Sequence, residues 1–432
     1  MKEVPAMVYV LSKNGQPLMP TNRHGNVKHL LKSGKAKVVK RCPFTIKLLY
    51  ESKTHTGNLT LGVDTGSGTL GAAVSDNNGN IIYMSKVMVR NDITDKMKQR
   101  SKYRRNRRFR KTRYRKARWL NRKNSIKSDR FSPTMTSKFR THIKEIEYVK
   151  SILPVTTLVL ETAQFDTHLM KNPSLTNDNI RHWGYQKGVN YGFENTKAMV
   201  LNRDNYTCQC CKGKHKDSRL EVHHIIYRCN GGSDKDDNLI TLCHTCHKNL
   251  HDGKITLYLK GKKKGTLRYA TQMNSIRCQM LKQYPEAIET FGMVTKANRI
   301  MYNIEKDHHF DACVIASGGN PVKFKTSTVF VKKVVAKGDY QQTKGVRSEQ
   351  FITTGKICGF KKFDKVKYLS NEYFIKGRMS SGYAVLMDIY GNKIDFSSMP
   401  KGFKTPKLSN LQRIGARTGW MVTTEVVTQN TA

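Results

Sequence analysis

The sequence predicts a mixed α/β fold, and three patterns along the chain indicate it. The predicted core begins with three apolar segments that are typical of consecutive β-strands: NLTLGVDTG, TLGAAVSD and IIYMSKVMV. The segment TSKFRTHIKEIEYVKSI then predicts a helix, which leads through Pro154 into a short apolar strand, TTLVLE. Further strand-like segments, such as STVFVKKVV and YAVLMDIYGNKIDF, follow in residues 321–432. Strands interrupted by helices are typical of an α/β protein.

Ahead of this core, residues 1–56 predict a small module. Strand VYVLS precedes the turn KNGQPLMP, a short helix near HGNVKHLLKSG, and the strands AKVVKR and PFTIKLLY. Within the core, the turn DNNGN joins the second and third strands and carries the Asn-Gly pair of a tight hairpin. Between the two ends of the core lies a compact unit rich in Cys and His. After it we predict a helix near ATQMNSIRCQMLKQY, a strand near AIETFGMVTK and a helix starting at HHFDACVIASG.

These patterns divide the chain into eight predicted segments. The predicted boundaries are 1–56 for the first module, 57–97 for the first part of the core, 98–124 for a basic helix, 125–165 for the second part of the core, 166–197 for a linker, 198–256 for the Cys/His-rich unit, 257–320 for the third part of the core and 321–432 for a β-rich domain.

The charge of the chain limits the partners that it can have. The 432 residues include 78 Lys and Arg against 32 Asp and Glu, a formal net charge of +46. Because so much like charge opposes compaction, we expect a polyanionic partner, and nucleic acid fits best. A hydrophobic content of 38% indicates a globular chain. No apolar run is long enough to span a bilayer and no signal peptide pattern is present, so we expect a cytoplasmic protein.

The most basic segment predicts a helix that binds nucleic acid. From Lys98 to Lys123, 15 of 26 residues are Lys or Arg, and none is Asp, Glu, Pro or Gly. A helix that is polar all round does not bury a face in its own protein, and Arg is suited to bidentate contact with phosphate. A solvated basic tail is the alternative, but the position between two parts of the core argues against it. The candidate contacts are Arg104, Arg105, Arg107, Arg108, Arg110, Arg113, Arg115 and Arg118.

Four residues at the ends of predicted elements form the first candidate site. Asp64 ends the strand LTLGVD, Glu161 ends the strand TLVLE, and His308 and Asp311 lie one helical turn apart, so that both can face one point. Carboxylate oxygens suit Mg²⁺, and two such ions can activate a water and stabilise the leaving oxygen in phosphodiester hydrolysis. His308 could act as a base or as an added ligand.

Each of these four residues alone is most often a structural strand-end or capping residue. Their occurrence together in one strongly basic chain favours a site. Three strands, a helix, a strand ending in a carboxylate, and a helix opening on His and Asp follow one another in the order of an RNase H-like nuclease fold.

The most specific pattern lies between residues 208 and 251. Cys208 and Cys211 form one C-x-x-C pair, Cys243 and Cys246 form another, and 31 residues separate the pairs. Four thiolates in two such turns make a closed tetrahedral Zn²⁺ site. Cys210 could replace Cys211, although the spacing favours Cys211. We interpret the remaining cysteines as structural: Cys42, Cys229, Cys278, Cys313 and Cys358.

Histidines within and after that gap predict a second metal, of catalytic type. The segments VHHII, NGGSDKDDN and CHKNLH carry the His-Asn-His pattern of a ββα-metal nuclease. His224 is suited to act as general base, and Asn238 could orient that base or the backbone. His223 points the other way on a strand, but a bend could bring it to the metal. One or both of His247 and His251, four residues apart on a helix, could hold the same Mg²⁺. The alternative is a structural zinc knuckle with incidental histidines.

With both sites placed, nearly the whole sequence resembles IscB, a family of transposon-encoded RNA-guided nucleases with RuvC and HNH domains. Residues 17–20, Pro-Leu-Met-Pro, match the PLMP motif of that family. Residues 104–108 match its R-R-x-R-R signature and arginine-rich bridge helix. The HNH unit stands between motifs II and III, as in the family. The RuvC motifs match in order: motif I at Asp64, motif II at Glu161, and motif III at His308 and Asp311.

The resemblance implies an RNase H-like (RuvC) core, split by the bridge helix and by an inserted ββα-metal HNH domain with a zinc ribbon. The C-terminal β-rich domain would contact the target-adjacent motif. Two Mg²⁺ at the RuvC site, one Mg²⁺ at the HNH site and one structural Zn²⁺ are the implied cofactors. The implied partners are a large structured guide RNA encoded near the gene and double-stranded target DNA, bound by a monomeric protein. HNH would cut the guide-paired strand, and RuvC the displaced strand.

Three departures and two alternatives accompany this resemblance. Motif I is D-T-G-S-G where D-P-G is common, and His223 stands where many relatives have Asp. The chain also lacks a large helical recognition lobe. An unguided homing or junction-resolving endonuclease would share both metal sites and need no RNA. A non-catalytic RNA-binding protein with a structural zinc would cleave nothing, and the separate carboxylate set argues against it.

Overall fold

The structure of the protein is a computed structural model that describes residues 6–110, 131–162, 170, 190–257, 267–336, 357–379, 381–400 and 402–427. The chain divides into two compact units. The first unit contains Met1–Ala163 and Met273–Ala432, and the second contains Gln164–Gln272. Among the described residues, no helix is both long and apolar enough to cross a membrane.

The N-terminal part of the first unit is a four-stranded sheet with one helix. Strands β1 and β4 pair in parallel at its centre, and the order is β2-β1-β4-β3. Its core is built from aliphatic side chains such as Val8, Val27 and Ile46, because these strands turn one apolar face toward the helix. The elements are β1 (Val8–Leu11), β2 (Pro17–Thr21), α1 (His24–Lys32), β3 (Ala36–Arg41) and β4 (Phe44–Leu48).

A large mixed sheet forms the centre of the first unit. Its strands follow the order β11-β8-β5-β6-β7-β13-β18, with β12 paired to β7. Strand β6 pairs antiparallel with both β5 and β7. On the other side of β5, β8 pairs with it in parallel, and β11 in turn pairs in parallel with β8. The strands are β5 (Leu59–Asp64), β6 (Thr69–Asp76), β7 (Asn80–Met88), β8 (Thr157–Glu161), β11 (Ile288–Thr290), β12 (Lys323–Phe324), β13 (Thr328–Val334) and β18 (Trp420–Val426).

Helix α8 lies directly against this sheet because two glycines allow it. A Cβ at Gly62 would lie 2.4 Å from the backbone nitrogen of Ala316, and one at Gly71 would lie 1.8 Å from the carbonyl oxygen of His308. No other residue fits where backbones approach so closely. The helices of the first unit are α2 (Ile93–Arg110), α3 (Pro133–Lys150), α6 (Arg268–Gln283, which begins in the second unit), α7 (Gly292–Met301) and α8 (His308–Ser317).

The basic helix begins earlier than the sequence predicts. It starts at Ile93 instead of Lys98, and Asp95 in its first turn complements the positive end of the helix dipole. Helix α2 is described as far as Arg110. Arg104 and Arg105 are exposed to solvent. The rest of the predicted helix, including Arg113, Arg115 and Arg118, lies outside the described residues.

The strand predicted near AIETFGMVTK is wrong for most of its length. Only Ile288–Thr290 pairs with β8, and the chain turns at Phe291 into helix α7. Val294 and Thr295 favour strands in isolation, but Thr295 is buried on the helical side that faces the core. Tertiary packing therefore overrides the local preference.

The C-terminal residues contribute to two sheets. Strands β13 and β18 pair with each other and extend the central sheet next to β7. The other four strands form an antiparallel sheet of order β16-β15-β14-β17 over a core that includes Val366, Ile375 and Leu386. They are β14 (Lys365–Tyr368), β15 (Asn371–Arg378), β16 (Ala384–Met387) and β17 (Gln412–Gly415).

Within its described residues 190–257, the second unit contains a hairpin with a helix before it and a helix after it. Strands β9 and β10 pair antiparallel, with His224 opposite Leu239 and Leu220 opposite Cys243. The helix after the hairpin starts at once, and Cys243 is its N-cap. The elements are α4 (Thr196–Arg203), β9 (Leu220–His224), β10 (Leu239–Cys243) and α5 (His244–His251).

A fully buried ion pair fixes helix α3 on the central sheet. Lys332 Nζ on β13 donates to both carboxylate oxygens of Glu145 on α3, at 2.7 and 2.9 Å. The hydroxyls of Tyr83 and Ser85 on β7 donate to the same carboxylate, at 2.9 and 2.7 Å. Desolvation lowers the pKa of Lys332, and the Glu145 carboxylate opposes that effect. The buried charges of Lys332 and Glu145 therefore depend on each other for compensation.

We expect Lys332→Met to reduce the free energy of unfolding by about 3–5 kcal/mol, because it leaves the buried Glu145 carboxylate without its cation. Adding Glu145→Gln removes that charge and should restore part of the loss. Urea denaturation followed by tryptophan fluorescence measures both variants, since the Trp420 ring lies 4.8 Å from Lys332 Nζ. A double variant no more stable than the single one would contradict this account.

Candidate functional site

The first candidate site lies at one edge of the central sheet. Strands β5 and β8 are parallel neighbours, and their register sets Asp64 directly opposite Glu161. The Thr65 hydroxyl donates to the carbonyl oxygen of Glu161 at 2.7 Å and ties the two strand ends together. Because parallel strands end at the same edge, both predicted carboxylates are on one side of the molecule.

Helix α8 adds the other two predicted residues. His308 is its first residue, and His308 Nδ1 lies 2.5 Å from Asp64 Oδ2. Asp311 follows one turn later, and its Oδ1 lies 3.2 Å from Arg299 Nε on α7. The close approach of the helix to β6 at Gly71 sets these distances, since a side chain there would push His308 away. The structure thus brings all four predicted residues to one region.

The carboxyl groups of this site repel one another. Burial, and then the charges of Asp64 and Asp311, raise the pKa of Glu161 to about 7. Burial and the charge of Asp64 also raise the pKa of Asp311, while the hydrogen bond to Asp64 raises the pKa of His308. Glu161 Oε2 is buried without a hydrogen-bond partner among the described residues. Neighbouring carboxylates with an unpartnered buried oxygen fit a hard divalent cation.

The same region contains residues that the sequence did not single out. Gly292 abuts the site, since a Cβ there would lie 3.0 Å from Glu161 Oε1. The positive charge of Arg299 compensates the negative charge of Asp311. Next to the site, Arg277 Nε lies 2.5 Å from Glu289 Oε1 in a second acid–base pair. All of these contacts join α6, α7 or β11 to the site, and no local pattern signals such contacts.

The second candidate site is in the other unit and begins with the four predicted cysteines. The Sγ atoms of Cys208, Cys211, Cys243 and Cys246 all lie within 4.8 Å of one another. Cys210 is not part of this group, which decides between the two possible registers of the first pair. Three of the four thiols are buried. Four converging thiolates of this kind fit a tetrahedral Zn²⁺.

Three of the predicted histidines form a separate cluster. His223, His247 and His251 each offer one ring nitrogen, and these nitrogens also lie within 4.8 Å of one another. We call these three residues the histidine trio. Strand alternation turns His223 toward α5 and His224 away from it. Burial, followed by the charges of His247 and His251, lowers the pKa of His223 to about 4, so its ring is neutral at physiological pH. A neutral ring is the form that binds metals.

His224 and Asn238 have distinct surroundings. His224 Nε2 lies 2.9 Å from Asp234 Oδ1, and the same oxygen lies 2.6 Å from Arg228 Nε. Asn238 is fully buried. Its Oδ1 accepts from the Ile226 backbone nitrogen at 2.9 Å, and its Nδ2 donates to the Ile226 carbonyl oxygen at 3.0 Å. Asn238 therefore holds the loop backbone, which is one of the two roles that the sequence left open.

Two acidic residues that the sequence did not single out contact these histidines. Asp234 contacts His224, and Glu221 Oε2 lies 2.7 Å from His247 Nδ1. Glu221 and His223 are two residues apart on β9 and so face the same side of the strand. The alternation in LEVHH could have indicated Glu221, whereas Asp234 lies in a loop whose course the sequence does not specify.

Two family models match parts of the chain. Residues 8–188 match the RRXRR protein family, and residues 208–253 match the HNH endonuclease family.

Curated relatives match over short lengths. The type IV methyl-directed restriction enzyme EcoKMcrA of Escherichia coli is 38% identical over 65 residues, which cover 13% of this chain and 23% of that protein. Anaredoxin of Nostoc sp. is 34% identical over 67 residues, which cover 15% of this chain and 86% of that protein. The chain thus spans less than a quarter of the restriction enzyme and most of the smaller relative.

Solved structures with some likeness include Cas9 of Streptococcus thermophilus. In complex with the AGGA PAM, that protein is 12% identical with a TM-score of 0.34, and the match covers 57% of this chain and 32% of that chain. The type II-C Cas9 enzyme of Actinomyces naeslundii is 15% identical with a TM-score of 0.16, over 43% of this chain and 31% of that chain.

The raised pKa of Glu161 predicts a pH-dependent effect of Glu161→Gln. In the folded protein Glu161 binds its proton more tightly than at the ordinary value of 4.5, so its contribution to stability is complete below pH 4.5 and is lost as the pH rises through about 7. In Mg²⁺-free buffer we therefore expect Glu161→Gln to raise the unfolding midpoint at pH 8 and to change it little at pH 5.

The control for this measurement is Glu289→Gln. Glu289 pairs with Arg277, so its replacement should lower the midpoint at pH 8 instead of raising it. Thermal unfolding followed by calorimetry at both pH values compares the variants. An equal effect of Glu161→Gln at pH 5 and pH 8 would show that the pKa of Glu161 is not raised in the folded protein.

Proposed function

Because the chain is an RRXRR protein of the IscB type with an HNH endonuclease domain, we propose that it is an RNA-guided DNA endonuclease with two nuclease centres. The centre in the first unit would cut the displaced DNA strand. The centre in the second unit would cut the strand that pairs with the guide. Sequence selection would come from base pairing between guide and target, with the protein recognising the shape of the hybrid.

The observation that carries this proposal is the convergence of Asp64, Glu161, His308 and Asp311 from three separated parts of the sequence. The strand order β11-β8-β5-β6-β7, with three antiparallel strands and two parallel additions, supports an RNase H-like (RuvC) core. Carboxylates at the ends of its central strands are where such a nuclease needs them. Burial, together with the neighbouring acidic charges, raises the pKa of Glu161 and of Asp311, and raised pKa values of this kind are typical of functional sites.

In the carboxylate centre, Asp64, Glu161 and Asp311 would hold two Mg²⁺ ions. Bound there, the ions would supply a nucleophilic water and charge neutralisation at the leaving oxygen. Asp64 stands at the middle of the set, with His308 on one side and Glu161 on the other. His308 would accept the proton of the attacking water, because its contact with Asp64 keeps it oriented and raises its pKa. Arg299 would keep Asp311 in place.

In the histidine centre, His224 would act as general base. Asp234 holds one ring nitrogen of His224, so the other nitrogen remains for the proton of water. The histidine trio would bind one divalent cation, which would neutralise the leaving oxygen. The sequence analysis predicts Mg²⁺ here, but three imidazole nitrogens favour Zn²⁺ or a similar transition metal, since Mg²⁺ prefers oxygen ligands.

The four cysteines and the basic helix would serve assembly. Cys208, Cys211, Cys243 and Cys246 would bind one structural Zn²⁺ that joins the segment after α4 to the end of the hairpin and to α5. Helix α2 would lie along the guide RNA, with Arg104 and Arg105 among its exposed cations. The net charge of +46 requires a polyanion of considerable size, which a structured RNA with its DNA target would provide.

The second candidate is an endonuclease that reads DNA without a guide. The likeness to a protein named as a methyl-directed restriction enzyme favours it for the second unit. It would use the same two centres. The third candidate is a non-catalytic RNA-binding protein with a structural zinc. Such a function would not explain why Asp64, Glu161 and Asp311 lie in one region.

Strand-specific cleavage tests the assignment of the two centres. With the guide RNA and a target duplex labelled differently on each strand, Asp64→Ala should abolish cutting of the displaced strand and preserve cutting of the paired strand. His224→Ala should slow cutting of the paired strand by about 10²–10⁴-fold, the usual contribution of a general base, and preserve the other cut. Loss of both cuts in either variant would contradict separate roles.

The nucleic acid that co-purifies with the protein tests guidance. We expect expression of the gene with its flanking DNA to yield a complex with one structured RNA of defined ends, encoded beside the gene. Sequencing of the bound RNA measures this, and RNase treatment before the cleavage assay should abolish cutting. Heterogeneous host RNA, or cutting that survives RNase, would favour the unguided endonuclease.

A further inference from the structure

The histidine trio has the spacing of ligands around one metal ion. His247 Nε2 and His251 Nε2 lie 3.3 Å apart. Two nitrogens bound at about 2.0–2.1 Å to one tetrahedral ion lie roughly 3.3–3.4 Å apart, so the observed separation needs little rearrangement. The ring of His223 is 5.0 Å from that of His247 and 5.2 Å from that of His251, measured between centroids. The cluster is therefore nearly symmetrical.

One member of the trio has a carboxylate behind it. Glu221 Oε2 lies 2.7 Å from His247 Nδ1, whereas the other ring nitrogen, His247 Nε2, is the one that lies near His251. An ionised carboxylate can only accept a hydrogen bond, so Glu221 at this distance favours the tautomer of a neutral His247 ring that has its proton on Nδ1. The lone pair of Nε2 then faces the other two histidines. This is the tautomer that a metal ligand at Nε2 requires.

The carboxylate is itself held in position. Glu221 Oε1 lies 2.9 Å from Arg219 Nε and 3.4 Å from His244 Nδ1. Glu221 also sits within β9, where its pairing with Leu242 on β10 fixes the backbone. Its two oxygens thus have separate partners, and only Oε2 serves the trio.

We propose that Glu221 is a positioning residue of the histidine centre, which fixes the tautomer and orientation of His247 and raises its affinity for the metal. The inference rests on the proposed metal site of the second unit, and not on RNA guidance or on DNA cleavage. Carboxylates behind metal-binding histidines typically change metal affinity by about 10–100-fold. Glu221 would thereby decide how firmly the second unit holds its cation, without touching the DNA or the ion.

The test is a Co²⁺ titration of the full-length protein whose four-cysteine site has first been filled with one equivalent of Zn²⁺. The visible absorbance of Co²⁺ bound to nitrogen ligands reports occupancy of the trio. Glu221→Gln keeps the shape of the side chain and removes its charge, so we expect the dissociation constant for Co²⁺ to rise about 10–100-fold. In ¹⁵N-histidine spectra without Co²⁺, His247 should lose its preference for the Nδ1–H tautomer.

Two further variants make the outcome decisive. His244→Ala also removes a contact of Glu221 but leaves the trio intact, so the affinity should stay within about threefold of the unchanged protein. His251→Ala should abolish the absorbance, and absorbance that survives it would overturn the metal centre and the inference with it. Unchanged affinity and tautomer in Glu221→Gln, or an equal loss in His244→Ala, would overturn the positioning role while leaving the metal centre in place.

Discussion

The parallel pairing of β5 with β8 is the constraint on which the first unit depends. It sets Asp64 opposite Glu161, and a shift of one residue would turn one of the two carboxylates to the other face of the sheet. Parallel strands cannot be joined by a hairpin, so the chain must cross over between them. In this protein the crossover includes α3, and the buried contact between Glu145 and Lys332 fixes that helix. The ion pair thus supports the candidate site indirectly, because it fixes a helix of the connection between the two strands that carry Asp64 and Glu161.

The two candidate centres use different chemistry because their elements offer different ligands. The first gathers oxygens at a sheet edge, where burial and mutual repulsion raise the pKa of Glu161. The second gathers nitrogens between one strand and one helix, where burial lowers the pKa of His223 and keeps it neutral. Both effects follow from removing charged groups from water, and they act in opposite directions on acids and bases. Near neutral pH, Glu161 is therefore partly protonated, whereas the ring of His223 is neutral.

The sequence predicted the residues that end or begin regular elements better than the residues that support them. Asp64 and Glu161 follow clear apolar runs, and the two C-x-x-C pairs have an unambiguous spacing, so these positions could be chosen without coordinates. Glu221 and Arg299 act through contacts with distant residues, which no local pattern records. The segment after Ile288 was predicted as a strand because its composition favours one, whereas packing made it a helix. The mixed α/β class was predictable, and the place of β13 and β18 in the central sheet was not.

The separation of Glu145 from Lys332 along the chain also has a consequence for synthesis on the ribosome. Residues 164–272, which form the second unit, are complete before Lys332 has been made. That unit can fold as it emerges from the ribosome. Until Lys332 and β13 have been synthesised, the Glu145 carboxylate on α3 has no cation and β7 has no β13 to pair with. The candidate site at Asp64 and Glu161 would therefore be completed late in translation, after the histidine trio. A ribosome that stalls between the two would release a chain with one folded nuclease unit and an exposed sheet edge.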